Sequence, residues 1–278
     1  MKKLCVIGDP VLHSKSPLIH NTMIQALGLD CEYTAQPVKQ EELPLWLERV
    51  RAENWAGFNA TMPHKQALVP YMDELDEDAQ LYGAVNTVCY RNGKLYGFNT
   101  DGEGFARALT MCNIPIQNTR FTLLGAGGAA RAVALKLVQR GAAHVTVCNR
   151  TAQHALALTA HAPHVMSVTG FSTEEIAAAC AGCDVLVNCT NLGMAGSPEF
   201  ETLDFVDALP AKAPVCDLIY HPLETALMTR AGAQGHPVMN GLPLLIQQAI
   251  LALEHFAQVE ISVRTVFPKV CAALDGTL

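Results

Sequence analysis

Short apolar runs alternate with amphipathic stretches along nearly the whole chain. Leu4–Ile7 closes into Gly8-Asp9-Pro10 and reads as a strand entering a loop; Pro17 then opens a helix whose apolar positions Leu18, Ile19, Met23 and Leu27 recur at helical spacing up to Gly28. Residues 32–38 and 55–60 read as strands around a helix over 41–53. Residues 85–90 and 94–98 flank Asn92-Gly93, a hairpin signal, and a helix follows over 102–112. A second unit begins near Arg120. Phe121–Leu124 is a buried strand, Gly125–Ala130 a glycine-rich turn and Ala132–Gln139 a helix closed by Gly141. Strands are expected over 145–148, 184–189 and 215–218, and a long helix over 244–256 after Asn240-Gly241. Strand–helix alternation of this kind predicts an α/β fold with parallel sheets.

Composition narrows the class. The 278 residues are enough for two domains, half of them are hydrophobic and 16% are charged, which excludes a disordered chain. A net charge of −7 argues against nucleic acid or an anionic membrane surface as partner. No apolar run reaches the roughly 18 residues of a membrane span, and Met1-Lys2-Lys3 with its apolar sequel meets Asp9 too early for a signal peptide. The ten cysteines lack the dense spacing of a disulfide scaffold, so a reducing cytoplasm is expected. Cys180-Ala-Gly-Cys183 has no second CxxC and no histidine at zinc spacing; it reads as small residues at a helix end, and His154, His161 and His164 read as helix-surface and loop residues. No metal site is expected.

The strongest chemical signal is Gly125-Ala126-Gly127-Gly128-Ala129-Ala130, a GxGxxA turn with a strand before it and a helix after it. Gly125 suits the tight turn, Gly127 the approach of a pyrophosphate to backbone N–H groups, and Ala130 close helix–strand packing. The following strand ends in Asn149-Arg150-Thr151 without the acid that would hold a ribose 2′-hydroxyl, while the guanidinium suits a 2′-phosphate, so NADP is the expected cofactor. Polar residues also gather on N-terminal loops: Ser14-Lys15-Ser16-Pro17, Asn59-Ala60-Thr61-Met62-Pro63-His64-Lys65, and Asn99-Thr100-Asp101-Gly102. Taken singly, Ser16 reads as a helix N-cap, Lys65 as a surface residue and Asp101 as a cap.

In order, SKSPxxHN, NxTxPxK, GAVNT, GxNTDGxG, GAGGAxRA, NRT, DLIYxP and a terminal helix with glutamine resemble the shikimate dehydrogenase family from Ile7 to about Phe256. The resemblance implies NADPH-dependent reduction of 3-dehydroshikimate to shikimate. It also implies an N-terminal α/β substrate domain (residues 1–101, completed by 240–278) and an inserted Rossmann-type NADP-binding domain (102–239). By motif it makes Lys65 and Asp101 the catalytic pair. Ser14, Ser16 and Tyr220 would hold the substrate carboxylate; Thr61, Asn86, Asp101 and Gln248 the ring hydroxyls. Gly125, Ala126, Gly127, Gly128, Ala129, Asn149, Arg150, Thr151, Leu218, Gly241 and Glu77 would serve the cofactor. Two departures stand out: His154 replaces a second basic residue often found three positions after the threonine, and His64 replaces an aromatic. A quinate/shikimate dehydrogenase using NAD, a non-catalytic NADP-binding sensor and a structural Rossmann protein are the alternatives; the protein is expected to be a monomer or homodimer.

Overall fold

A computed structural model describes residues 1–275, so the last positions of the expected 240–278 segment lie outside the described residues. In chain order the first elements are β1 (Lys2–Gly8), α1 (Ser16–Leu27), β2 (Cys31–Pro37), α2 (Leu43–Ala52), β3 (Gly57–Ala60), α3 (His64–Ala67), β4 (Glu74–Leu75), α4 (Glu77–Tyr82), β5 (Thr87–Arg91), β6 (Lys94–Phe98) and α5 (Asp101–Met111). Next come β7 (Arg120–Leu124), α6 (Gly128–Gln139), β8 (His144–Cys148), α7 (Ala152–Thr159), β9 (Met166–Thr169), α8 (Thr173–Ala181), β10 (Val185–Asn188), β11 (Val215–Asp217), α9 (Ala226–Ala233) and β12 (Val238–Met239). The helices α10 (Leu242–Ala257) and α11 (Val263–Leu274) close the described chain.

Two compact units divide it: Met1–Gly104 together with the segment from Ile246 onward, and Phe105–Leu245. Both divisions fall a few residues beyond the 101/102 and 239/240 positions of the sequence reading, because α5 and α10 each run through a division instead of ending at it.

The first unit carries a mixed six-stranded sheet, ordered β2-β1-β3-β5-β6-β4. β1 lies parallel to both β2 and β3, while β5 is antiparallel to β3 and β6. The β5–β6 hairpin turns through Asn92 and Gly93, both at positive φ (51° and 79°), which is the conformation a two-residue hairpin loop needs. One face packs Trp46, Leu47 and Val50 of α2 against Cys5, Phe58 and Val88, with the Trp46 ring edge-on to Trp55 and Phe58. Helix α1 ends at Gly28, left-handed at φ 64°. Its start corrects one expectation: Lys15, not Ser16, is the N-cap residue, and Ser16 lies inside the helix, its N–H donating to the Ser14 hydroxyl at 3.2 Å.

The second unit is a parallel sheet ordered β12-β11-β10-β7-β8-β9. Counted from β7 this is the 3-2-1-4-5-6 order of a doubly wound nucleotide-binding fold. The strand order reverses between β7 and β10, and doubly wound sheets bind ligands beyond the carboxyl ends of the strands at such a switch point. Strands covered on both faces lose polar alternation, and β7 and β10 are accordingly almost wholly buried.

Candidate active site

In the first unit β3 ends at Ala60, and the chain turns through Thr61, Met62 and Pro63 into α3, whose first turn carries Lys65. The turn is pinned at both sides: Thr61 N–H donates to the Ile7 carbonyl, and Val85 N–H donates to the Lys65 carbonyl at 2.7 Å. Asp101 opens α5 just beyond β6. Lys65 Nζ stands 2.6 Å from Asp101 Oδ2, in a half-buried ion pair with side chains 34% and 20% exposed. The structure replaces the cap reading of Asp101: it is the first residue of α5 and not its N-cap, and its second oxygen accepts from Asn86 Nδ2 at 2.8 Å. Asn86 itself is clamped by its main chain, accepting from Ala60 N–H and donating to the Phe98 carbonyl. Lys65, Asn86 and Asp101, expected from three separate motifs, thus form one cluster.

Other expected positions take their places around this framework. Thr61 abuts Gly8, where a Cβ would stand 2.5 Å from the Thr61 methyl, so only glycine fits. Gln248 on α10 packs its backbone against Gly104, one turn along α5 from Asp101. Ser14 and Ser16 are half-buried beside the start of α1, and Glu77 is exposed in the first turn of α4. His64 is fully buried and its ring Nε2–H donates to the Val38 carbonyl at 2.7 Å, while Nδ1 has no partner. That ring ties the Lys65 turn to the end of β2.

In the second unit the glycine turn has the predicted form. Gly125 sits at φ +102°, donates its N–H to the Cys148 carbonyl at 2.7 Å, and would bring a Cβ to 3.0 Å from Thr190. Gly127 and Gly128 face open space, leaving the first-turn N–H groups of α6 accessible, with no acidic side chain there. Arg150, Thr151 and His154 are exposed beyond β8, and Asn149 Nδ2 braces the Thr151 carbonyl at 2.8 Å. Arg131 donates to His161 Nε2 at 2.9 Å, while its buried Nε lacks a partner. An open helix N-terminus with nearby guanidinium groups and an unfilled buried donor fits a phosphorylated dinucleotide. Leu218 and Tyr220 follow β11; partial burial raises the Tyr220 phenol above its ordinary pKa, keeping it a proton donor at neutral pH. Gly241 packs against the Leu218 carbonyl so tightly that a side chain has no room.

The sequence reading missed two polar networks. Asp217, wholly buried at the end of β11, accepts from Thr225 Oγ1 (2.8 Å), Asn188 Nδ2 (3.1 Å) and Ile219 N–H (3.1 Å), and burial raises its pKa. In the first unit, Tyr33, Asn59 and Thr87 connect to Asn86. The "DLIY" and "NT" strings contain Asp217 and Thr87, but nothing local marks them as buried hubs. Cys180 and Cys183 are buried at the end of α8 and just before β10, as free thiols, in keeping with the reading of small residues at a helix end.

Residues 6–88 match the family described as shikimate dehydrogenase substrate binding domain, and residues 108–195 match shikimate / quinate 5-dehydrogenase. The shikimate dehydrogenase (NADP(+)) of Alkaliphilus oremlandii is 39% identical over 259 residues, covering 91% of each chain. That of Bacillus subtilis is 37% identical over 279 residues, covering 100% of this chain and 99% of its own. The crystal structure of Thermus thermophilus shikimate 5-dehydrogenase in complex with NADP(H) and shikimate superposes with a TM-score of 0.85 at 36% identity, covering 99% of this chain and all of its own.

Proposed function

The chain belongs to the shikimate dehydrogenase family, and from that premise we propose that it interconverts 3-dehydroshikimate and shikimate with NADP, using Lys65 and Asp101 to move the proton. The observation that carries the assignment of the pair is the 2.6 Å contact between Lys65 Nζ and Asp101 Oδ2, with Asn86 on the other carboxylate oxygen. When bound, NADPH supplies the hydride. In the reducing direction Lys65 gives a proton to the carbonyl oxygen of the substrate and is reprotonated from solvent; in the other direction it takes the proton from the hydroxyl. Asp101 holds the ammonium in place and accepts from a neighbouring ring hydroxyl. Thr61, Asn86 and Gln248 bind the remaining hydroxyls, which makes an analogue lacking one leave buried polar groups unpaired. Ser14, Ser16 and Tyr220 offer hydroxyl donors to the substrate carboxylate.

For the cofactor, the first-turn N–H groups of Gly127, Gly128 and Ala129 suit the pyrophosphate, and Gly125 and Ala126 shape the turn. Asn149, Arg150 and Thr151 suit the 2′-phosphate; Leu218 and Gly241 suit the nicotinamide end, with Glu77 a further cofactor position. Among the described residues no helix is long and apolar enough to cross a membrane. The free thiols support a reducing cytoplasm as the place of action. A monomer or homodimer of the 29.9 kDa chain is proposed, and light scattering of the eluted protein decides between them.

The test follows NADP⁺ reduction with shikimate, with NAD⁺ and quinate in parallel arms and Lys65→Met as the variant. Turnover confined to shikimate with NADP⁺, lowered by about 10²–10⁴ in Lys65→Met, is the expected result. Comparable rates with NAD⁺ or quinate point to the broader dehydrogenase. Near-normal turnover in Lys65→Met removes the lysine from its role.

A further inference from the structure

The Lys65–Asp101 pair sits at the end of a buried hydrogen-bond chain whose direction can be worked out bond by bond. Asn59 Nδ2 lies 3.1 Å from the Asn86 carbonyl, which can only accept, so the Asn59 amide is oriented with its nitrogen toward Asn86. The same nitrogen donates to Thr87 Oγ1 at 2.9 Å, and Asn59 Oδ1 accepts from the Tyr33 hydroxyl at 2.6 Å. With its oxygen receiving from Asn59, Thr87 directs its single hydroxyl proton to Asn86 Oδ1, 2.8 Å away. Asn86 Oδ1 also accepts from the Thr100 N–H at 3.0 Å, an obligate donor. The Asn86 amide is thereby held one way round, with Nδ2 donating to Asp101 Oδ1 at 2.8 Å and Oδ2 left for Lys65.

Every bond runs the same way, from Tyr33 through Asn59, Thr87 and Asn86 to Asp101. Tyr33, Asn59, Thr87 and Asn86 are all buried, and Thr87 is 0% exposed. Burial also pushes the Tyr33 phenol well above its ordinary pKa, so it remains a donor. Away from water, aligned bonds reinforce one another, and without the Thr87 hydroxyl Asn86 Oδ1 loses its shortest donor and keeps Thr100 alone. The strand register creates the junction: Asn59 on β3 stands directly opposite Thr87 on β5.

We propose that the Thr87 hydroxyl is a positioning residue for the reaction: it fixes the Asn86 amide and, through it, the orientation of the Asp101 carboxylate against Lys65. This inference rests on the assignment of Lys65 and Asp101 above. Thr87 and Asn59 act through Asn86, without a contact to the substrate.

Thr87→Val preserves shape and strand preference and removes only the hydroxyl; Thr87→Ser keeps the hydroxyl and removes the methyl. The expected result is that Thr87→Val lowers kcat/KM for shikimate by about 10- to 100-fold, with the KM for NADP⁺ changed less than about twofold. Its pH–rate profile moves as well, and Thr87→Ser returns to within about threefold of the parent. If Thr87→Val does not fold, Tyr33→Phe tests the chain from its far end and is expected to give a smaller loss of the same kind. Parent-like kcat/KM in Thr87→Val overturns the proposal, as do equal losses in the valine and serine variants or a loss confined to NADP⁺. The parent protein's turnover of shikimate is measured first. If it is absent, the reading of the pair fails on its own, and the side-chain amide NMR signals of Asn86 still report on Thr87: unchanged shifts in Thr87→Val overturn the positioning role, and displaced ones support it.

Discussion

Gly104 packs directly on the backbone of Gln248: a Cβ at position 104 would stand 2.9 Å from both the nitrogen and the Cβ of Gln248. Glycine inside a helix costs about 1 kcal/mol relative to alanine, so the contact is kept against local preference. Gly104→Ala is therefore expected to lower stability by about 1–3 kcal/mol instead of raising it. By pushing Gln248 away from the start of α5, it is also expected to raise the KM for shikimate about tenfold while leaving that for NADP⁺ near the parent value. Urea unfolding and steady-state kinetics read both effects, and a more stable variant with parent kinetics would show that α10 yields freely.

Nothing local in the sequence marks the Gly104–Gln248 contact, because it is set by the packing of two helices far apart in the chain. The runs ending in β1, β3 and β7, the Asn92-Gly93 hairpin and the Gly125 turn were legible because each is governed by local rules of periodicity or positive φ. β9 and α9 were not foreseen, and α8 was foreseen only at its far end, where Cys180 and Cys183 read as small residues closing a helix. β9 is a four-residue strand, and the start of α8 rests on the capping box of Ser172 and Glu175. Lys65, Asn86 and Asp101 were legible as motif positions. Thr87, Asn59 and Asp217 stand inside the same kind of motif, but their roles as buried hubs were not legible, because their partners are set by strand register and by loops far apart in sequence.

His64 lies beside Lys65 in sequence, yet its ring points its proton at the Val38 carbonyl and leaves Nδ1 unpartnered. It braces the turn and has no bond to the lysine. His64→Phe keeps an aromatic ring, loses one hydrogen bond and removes one unpaired nitrogen, so a net change within about 1 kcal/mol is expected. The pH–rate profile should keep its shape. A displaced profile with unchanged stability would instead make His64 an electrostatic partner of Lys65.

His20 predicts a loss of stability in mild acid. It is buried, stacked on Tyr33 with ring centroids 4.1 Å apart, and its Nδ1 has no partner; burial lowers its pKa to about 3. Between about pH 6.5 and 3 the unfolded chain binds a proton there that the folded one does not. Stability therefore falls with falling pH, by up to about 1.4 kcal/mol per unit from this group. His20→Phe retains the ring stack and removes the titration. Any overpacking cost it brings is the same at every pH, so the slope is the readout. Urea midpoints measured from pH 7 to 4 should decline less steeply in the variant, and parallel slopes would exclude His20 as the acid-sensitive group.

Asp217 and Thr225 make the converse prediction in the second unit. The Thr225 hydroxyl donates to Asp217 Oδ2 and accepts from Met228 N–H, so it serves a buried carboxylate and caps α9 at once. Asn188 joins the same carboxylate to the loop after β10, where Thr190 faces Gly125 at the crevice end of the sheet. Thr225→Val removes the cap and one of the three donors to Asp217, and is expected to cost about 2–4 kcal/mol. Burial already raises the Asp217 pKa, and losing a donor raises it further. The folded variant then holds a proton that the unfolded chain releases, so its stability falls as pH rises above the unfolded value of about 3.9. The deficit relative to the parent should accordingly grow as pH rises through the folded-state titration of Asp217, and adding Asp217→Asn should remove that pH dependence. Thr225→Ser should restore both stability and slope. Because the disturbed loops border the Gly125 turn, the KM for NADP⁺ should rise while that for shikimate holds; a pH-independent deficit would mean that losing the Thr225 donor does not shift the Asp217 titration.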